Sequence, residues 1–307
     1  MSSAVVFAYH DVGVRCLKVL LARGVDVRLV VTHEDNPQEE IWFASVRQLC
    51  IEYEIPFITP ADPNTPETEA RIAELDADFL FSFYYRNILR APLLESVKRG
   101  AYNMHGSMLP QFRGRVPVNW AVLHGATETG ATLHQMNVKP DNGPIVDQFA
   151  VPILPDDTVH EVFNKVVVAA ELCLLRALPH LLDGTASHRP QDLSQGAYFG
   201  GRCADDGRID WKQNARSIHD LVRAVTHPYP GAFIDFADGR LVLWRTRVVN
   251  DASTYSSAGT IQFRNSRFEI FPTGGGILQV IQADFSGQPL DITDDTTRLT
   301  GRALPKL

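Results

Sequence analysis

The sequence lacks the patterns that mark several common classes of protein. It has no run of about 18 uninterrupted apolar residues, so we expect no membrane-spanning helix. The first residues, Met1–Val6, lack the basic and apolar regions of a secretion signal. The four cysteines form no CxxC pair, which favours reduced thiols. These absences predict a cytoplasmic protein without membrane insertion or a disulfide framework.

Common cofactor motifs are missing as well. Neither G-x-G-x-x-G nor G-x-x-x-x-G-K-[ST] occurs, so a dinucleotide site and a P-loop have no support. The histidines show no metal-ligand spacing: His124 and His134 stand ten positions apart, and His10 and His33 follow different apolar runs. We therefore predict that the protein uses no metal.

Charge argues against a nucleic-acid partner. The chain carries 29 Lys and Arg against 36 Asp and Glu, a net charge of −7, with no long run of one sign. Between residues 205 and 307 the basic and acidic residues are equal in number. Binding to phosphates requires a basic surface, and the composition provides none.

Apolar runs alternate with amphipathic segments through the first half of the sequence. The runs are 5–10, 27–32, 56–60 and 78–85, and the helical patterns are 14–22, 41–53 and 68–75. This alternation predicts an α/β fold, a Rossmann-like and mostly parallel sheet with crossover helices. Ligands of such sheets gather at the carboxyl ends of the strands. The segments ending at His10, Tyr85 and His105 should therefore converge.

The second half has a different pattern. A long amphipathic helix is expected over 157–182, a polar linker over 185–196 and a further helix over 215–226. Asp238-Gly239 lies between two apolar runs, which predicts a hairpin. We expect an N-terminal catalytic domain over 1–190 and a smaller open β-barrel domain, OB-like, over 200–307.

The segment Tyr102–Gly106 is the most informative for chemistry. In a strand, Asn103 and His105 are two positions apart and project from the same face. An amide and an imidazole at a strand end can act together on one bound group. The same spacing also fits two polar residues at a sheet edge without a catalytic role.

Two loops add candidate groups. Asp141 in Lys139–Gly143 would orient His105 and favour its charged form if the fold brings them together. An Asp before Asn-Gly is, however, also a common turn residue. The loop Ser107–Arg115 offers two guanidinium groups for an anion, or is simply a solvated loop.

Several of these segments together resemble a known family. The run Asn103–Pro110 with Phe112–Gly114, then Thr129–Thr132 and Asp141–Gly143, is similar to the signature of the folate-dependent formyltransferases. Further segments resemble the formyltransferase domain of the bifunctional polymyxin-resistance enzymes, which formylates UDP-4-amino-4-deoxy-L-arabinose for lipid A modification. These segments are Val5–Asp11, Phe81–Arg86, Arg113–Arg115 and Pro228–Phe233. The second, NAD-dependent decarboxylase domain of those enzymes has no counterpart in this sequence.

The resemblance implies roles for particular residues. Asn103 would stabilise the oxyanion of a tetrahedral intermediate, His105 would handle the proton of the amine, and Asp141 would hold His105. The cosubstrate 10-formyltetrahydrofolate would lie along two loops and one arginine: Asn87, Ile88, Leu89, Asn137, Val138, Lys139, Pro140 and Arg115. We further hypothesise that an amino-sugar nucleotide contacts aromatic, arginine and proline residues, namely Tyr198, Phe199, Arg202 and Pro230, because such groups suit uracil and pyrophosphate.

Four alternatives share part of this pattern. Methionyl-tRNA formyltransferase has the same signature, but the near-neutral C-terminal part disfavours it. A folate hydrolase would release formate to water, and a formate assay without amine would reveal it. A formyltransferase for another amino-sugar nucleotide would use the same three catalytic residues. A silent folate- or nucleotide-binding module would show no turnover at all.

Overall fold

The chain folds into two compact units. The computed structural model describes residues 1–250, 257–264, 266–292 and 299–305. The larger unit comprises Met1–Pro117, Glu128–Pro152 and Phe163–Gly200. The smaller unit comprises Val118–Thr127, Ile153–Val162 and Gly201–Leu307. Two short segments that precede residue 163 in the chain thus pack with the C-terminal part, a grouping that the sequence pattern does not indicate.

The first two hundred residues contain nine strands and six helices. The strands are β1 (Ser3–Ala8), β2 (Asp26–Val31), β3 (Phe57–Ile58), β4 (Phe79–Phe83), β5 (Gly100–His105), β6 (Arg113–Gly114), β7 (Glu128–Gln135), β8 (Ile145–Pro152) and β9 (Tyr198–Phe199). The helices are α1 (His10–Ala22), α2 (Val46–Glu52), α3 (Pro66–Glu74), α4 (Ala91–Leu94), α5 (Pro117–Leu123) and α6 (Val159–Asp183).

Seven strands form the main sheet, in the order β3-β2-β1-β4-β5-β7-β8. Pairing is parallel from β3 to β5, whereas β7 runs antiparallel to both β5 and β8. Every residue of β1 and β4 is buried, which matches their continuous apolar sequence. The predicted mostly parallel α/β fold is confirmed.

The carboxyl ends of the central strands lie side by side. Phe83 at the end of β4 pairs with Ala8 of β1 and with Met104 of β5. The residues that follow these strands therefore meet at one edge of the sheet, as the sequence predicted.

The helix predicted over 41–53 is shorter than expected. Helix α2 begins at Val46, because Ser45 caps it by accepting a hydrogen bond from the Gln48 N–H at 3.2 Å. The apolar residues before the cap, Trp42 and Phe43, pack against His10 instead of continuing the helix. Their apolar spacing reflects contact with a neighbouring element and not helical periodicity.

The smaller unit is built on an antiparallel sheet. Its elements are α7 (Ala215–Val225), β10 (Ala232–Phe236), β11 (Gly239–Asn250), β12 (Thr260–Arg264), β13 (Arg267–Phe271), β14 (Ile277–Phe285) and β15 (Gln288–Pro289). The order is β10-β11-β14-β13-β12, with β15 on β14. The predicted hairpin is confirmed, since Phe236 pairs with Gly239. Among the described residues β10 and β12 do not pair, so the sheet is open.

Within the described ranges, none of the helices combines the length and the apolar character needed to cross a membrane.

Candidate active site

Strand β5 places the predicted amide and imidazole on one face of the sheet. Asn103 and His105 share that face with Ala101, which belongs to a buried core cluster with Leu89. His105 is buried, at 6% exposed, and Asn103 is half-buried. The strand register therefore sets the positions of these two side chains independently of the loops.

The structure brings Asp141 to His105. Asp141 Oδ1 lies 3.5 Å from His105 Nδ1, and both side chains are largely buried. The backbone N–H of Gly114 donates to Asp141 Oδ2 at 2.8 Å. Asp141 thus faces the site from its loop, with φ of 57° in the left-handed region.

Gly143 allows this loop to form. A Cβ at Gly143 would lie 1.8 Å from the carbonyl oxygen of Gln135, a distance that no side chain tolerates. The Gln191 amide also donates to the carbonyl oxygens of Asp141 and Gly143, at 2.9 and 2.6 Å. In the Asp-x-Gly pattern of residues 141–143, the glycine is therefore required for steric reasons, whereas the aspartate supplies the carboxylate that faces His105.

The contacts of His105 define where its protons lie. Its Nε2 is 2.9 Å from the Phe112 carbonyl oxygen, and its Nδ1 faces the Asp141 carboxylate. A carbonyl oxygen only accepts hydrogen bonds, so Nε2 must donate to Phe112, and the Asp141 carboxylate 3.5 Å from Nδ1 would stabilise a proton there.

The environment keeps Asp141 ionised. Burial by itself raises the pKa of this carboxyl group, but the neighbouring His105 and the Gly114 N–H lower it, and the net pKa falls below its usual value. A carboxylate that stays negative over the physiological range can stabilise a positive charge on His105 throughout catalysis.

His134 is a fourth member of the cluster, and the sequence analysis missed it. It lies directly opposite Asn103 in the pairing of β5 with β7. Its Nδ1 is 2.9 Å from the Gln135 carbonyl oxygen, and its Nε2 is 3.2 Å from Asn103 Nδ2 and 3.6 Å from Asp141 Oδ1. The sequence shows a histidine in a strand, but only the antiparallel register reveals its partners.

The loop after β5 is held by a buried threonine. Thr132 Oγ1 donates to the Ser107 carbonyl oxygen at 2.6 Å and accepts from the Leu109 N–H at 3.1 Å. The Thr-Gly-Ala-Thr segment therefore shapes the loop that carries Phe112 to His105.

Arg113 does not serve as an anion site, in contrast to one interpretation of the sequence. Its guanidinium is buried and donates to Asn142 Oδ1 and to the carbonyl oxygens of Leu193 and Gly196, at 2.8–3.1 Å. These three acceptors tie the loop after β5 to distant parts of the chain. Arg115 is the exposed arginine of this loop.

The residues predicted for the folate occupy two loops with distinct surfaces. Ile88 and Val138 are exposed apolar side chains, at 63% and 68%. Leu89 is only 4% exposed and packs into the core, so only its main chain can face a ligand. Asn87 donates to the Ala61 carbonyl oxygen.

In the second loop, Asn137 Oδ1 accepts from the Lys139 N–H at 3.0 Å, and this turn leads through Pro140 to Asp141.

The residues predicted for the sugar nucleotide fall into both units. Tyr198 and Phe199 form β9, which pairs with β6 and so lies next to Gly114, the donor to Asp141. Arg202 and Pro230 belong to the smaller unit. There, the Arg202 guanidinium lies over the Trp120 ring at 4.8 Å and donates to the Asp206 carbonyl oxygen at 3.0 Å, whereas Pro230 is exposed.

Within the ranges that the structure describes, no three His, Cys, Asp or Glu side chains form a group that could hold a metal ion.

The comparisons with known proteins agree with this fold. Residues 11–178 match the family described as formyl transferase, and residues 203–297 match the formyl transferase C-terminal domain. The first match alone covers more than half of the chain. The protein belongs to the formyl transferase family.

Solved structures show the same fold over nearly the whole chain. An N-formyltransferase from Helicobacter canadensis, in complex with folinic acid and dTDP-3-aminofucose, superposes with a TM-score of 0.73 at 19% identity, over 94% of this chain and 100% of that one. The sugar 3N-formyl transferase WlaRD, in the presence of dTDP and 5-N-formyl-THF, gives 0.72 at 18% identity, over 95% and 98%. HypX from Aquifex aeolicus gives 0.62 at 16% identity, but this chain covers only 49% of it.

Proposed function

We propose that this formyltransferase moves a formyl group from 10-formyltetrahydrofolate to the amine of an amino-sugar nucleotide. The observation that carries the proposal is the convergence of Asn103, His105 and Asp141 at the carboxyl end of β5. The family membership supports the reaction class. The two sugar formyltransferase structures, matched from end to end, favour a sugar acceptor over a macromolecule.

The residues fit the chemistry of acyl transfer. When the amine attacks the formyl carbon, negative charge develops on the formyl oxygen. The Asn103 amide, which has a second N–H besides the one that faces His134, can donate to that oxygen, and one such donor contributes about 3 kcal/mol. The Asp141 carboxylate stabilises a positive charge on His105. His105 can therefore give a proton to the leaving nitrogen of the folate and take up the proton that the amine loses.

The two predicted folate loops fit a flat, partly polar ring. Ile88 and Val138 offer apolar surface, and the main chain between residues 87 and 89 offers donors and acceptors for the ring edge. The cosubstrate supplies the formyl carbon when it is bound. The protein's part is to orient that carbon toward Asn103 and His105.

We propose UDP-4-amino-4-deoxy-L-arabinose as the particular acceptor, on the strength of the polymyxin-resistance motifs. The product would then serve the cationic modification of lipid A. The position of Tyr198 and Phe199 beside β6 supports a role in acceptor binding, because their strand adjoins the loop that contacts Asp141.

The deciding experiment follows tetrahydrofolate release and the mass of the sugar in parallel. Purified protein is incubated with 10-formyltetrahydrofolate and one of three acceptors: UDP-4-amino-4-deoxy-L-arabinose, dTDP-3-aminofucose or initiator methionyl-tRNA. A formylated UDP-sugar, absent with His105→Ala, supports the full proposal. A formylated dTDP-sugar alone corrects the acceptor. Formate release without a sugar product indicates a hydrolase, and formylation of initiator methionyl-tRNA would overturn the sugar acceptor.

A further inference from the structure

A cluster of aromatic rings stands at the same edge of the sheet as the catalytic residues, on segments not assigned to either substrate above. We term it the aromatic wall; its rings are Tyr9, His10, Trp42, Phe43, Tyr84 and Phe163. The His10 ring is stacked on Phe43 with centroids 3.8 Å apart. Trp42 and Phe163 approach His10 edge-on at 4.6 and 4.8 Å.

The wall reaches the residue that follows His105. Tyr84 contacts Phe163 at 5.7 Å between centroids, and its hydroxyl lies over Gly106. A Cβ at Gly106 would stand 2.0 Å from that oxygen, so this position needs glycine for the two elements to approach. The wall is therefore continuous with the catalytic edge.

The rings of His10, Trp42, Phe43 and Phe163 lie on a different side of His105 from the predicted folate loops, whereas Tyr9 borders those loops, because Arg86 lies over its ring at 4.8 Å. Asn103 and His105 share the face of Ala101, whose core cluster includes Leu89 and is packed by Met136, the residues that begin or end the folate loops. Phe163 of α6 and His10 at the start of α1 belong instead to the second side. If the donor occupies the first side, the amine must approach from the second.

The segment that carries Trp42 and Phe43 is fixed in place. Asp11 Oδ1 accepts from the Ala44 N–H at 2.9 Å. Arg86 forms a two-pronged ion pair with Glu39, at 2.8 and 3.0 Å. These contacts reduce the ordering cost when a ligand binds.

The conformation of the wall is also unusual at two residues. His10 and Tyr84 have φ of 65° and 57°, the left-handed region that residues other than glycine rarely adopt. Such strain concentrates at sites where function fixes the geometry.

We propose that the wall binds the apolar C–H face of the acceptor's amino-sugar ring, with Trp42 as the specificity-determining contact. Phe163 is buried, whereas Trp42 and Phe43 keep part of their surface exposed for a ligand. Aromatic faces of this kind supply large contact area with little loss of rotamer freedom. The inference rests on the proposed transfer to an amino sugar.

Steady-state kinetics with both substrates varied test the inference. Trp42→Ala should raise KM for the amino-sugar nucleotide about tenfold, equivalent to about 1.4 kcal/mol, with KM for 10-formyltetrahydrofolate unchanged. Trp42→Phe, which keeps a ring, should recover most of the loss. The matched control is Tyr53→Ala, which removes a 55% exposed ring at the other end of α2 and should change neither KM. Unchanged acceptor KM in Trp42→Ala, or an equal rise for the donor, overturns the assignment.

A binding measurement separates this inference from the proposed function. Without the folate, the sugar nucleotide should quench tryptophan fluorescence in the wild-type protein, and Trp42→Phe should lose that part of the signal. Trp42-dependent binding without formyl transfer would overturn the proposed reaction but keep the wall as a sugar site. Formyl transfer with binding that does not depend on Trp42 would support the proposed reaction but overturn the wall as a sugar site. Absence of both would overturn both.

Discussion

Asn103 and His134 face each other across β5 and β7, with Asn103 Nδ2 3.2 Å from His134 Nε2. The other nitrogen of His134 lies 2.9 Å from the Gln135 carbonyl oxygen and must donate to it. In the neutral ring, Nε2 is then an acceptor, and it holds the Asn103 amide with its nitrogen toward β7. We therefore expect His134 to be a positioning residue for Asn103, the proposed donor to the oxyanion.

This relationship predicts that His134→Ala lowers kcat about tenfold and leaves both KM values unchanged, since it frees the amide of Asn103 to rotate. His134→Gln offers an acceptor oxygen and should recover part of the rate. In a double-mutant cycle, adding His134→Ala to Asn103→Ala should cost almost nothing further. Additive losses would show that His134 acts independently of Asn103.

The depressed pKa of Asp141 predicts a pH-dependent contribution to stability. Burial raises this pKa, but the neighbouring His105 and the Gly114 N–H lower it by more, so the folded state favours the carboxylate. The contribution is complete above the unfolded pKa of about 4 and is lost as the pH falls through the folded value. Denaturant unfolding from pH 6 to pH 2 should therefore show the wild type losing stability relative to Asp141→Asn as acid is added. A constant difference across this range would contradict the assignment. At pH 7, Asp141→Asn should lower kcat by about 10²-fold or more.

The lowered pKa of His33 predicts a second pH-dependent contribution to stability, at higher pH than that of Asp141. Burial, followed by the nearby Arg86 charge, lowers the pKa of His33 to about 4, and its Nε2 accepts from the Arg86 N–H at 3.1 Å, which requires a neutral ring. Stability from this group is complete above the unfolded pKa of about 6.5 and is lost as the pH falls toward 4. His33→Phe should flatten the stability profile between these values, whereas His180→Gln, an exposed control in the same unit, should not. An unchanged profile in His33→Phe would mean that the ring is already charged at pH 6.

Gly143 predicts a steric effect on catalysis. Gly143→Ala places a methyl group 1.8 Å from the Gln135 carbonyl oxygen, so the loop must move and take Asp141 with it. We expect a loss of about 1–3 kcal/mol in the free energy of unfolding and a large fall in kcat. Gly200→Ala is the matched control, because a Cβ there meets nothing within 4 Å. Equal activity of the two variants would show that Asp141 needs no fixed loop.

The position of Arg202 predicts that its removal weakens binding of the sugar nucleotide and leaves binding of the folate unchanged. Its guanidinium is held over Trp120 at 4.8 Å, which leaves a fixed charge for a pyrophosphate. Arg202→Ala should raise KM for the sugar nucleotide about tenfold and leave KM for the folate unchanged, and Arg202→Lys should recover only part of the loss. Unchanged kinetics would remove Arg202 from the site.

The catalytic strand could be predicted from sequence because its information is local. The period of two places Asn103 and His105 on one face, and the order of apolar runs places their strand beside β4. The glycine in Asp-x-Gly is equally local, since the loop that it forms closes on Gln135 only eight positions earlier. The folate and sugar-nucleotide residues stay predictions.

Other features could not be predicted because they depend on contacts between distant segments. The apolar residues before α2 resemble a helix in sequence, yet they pack on His10, more than thirty positions away. Arg113 resembles an exposed anion ligand, but its acceptors at 193 and 196 bury it. In both cases the residue type is compatible with two environments, and tertiary packing selects one.

The sequence by itself determined the α/β class, the catalytic strand and the family, since each rests on periodicity or on a contiguous motif. The tertiary structure alone decided that His134 joins the site, that Arg113 is structural and that six rings meet beside Gly106. Each of these depends on strand register or on loop closure, and the free energy of such contacts comes from partners far away in the sequence.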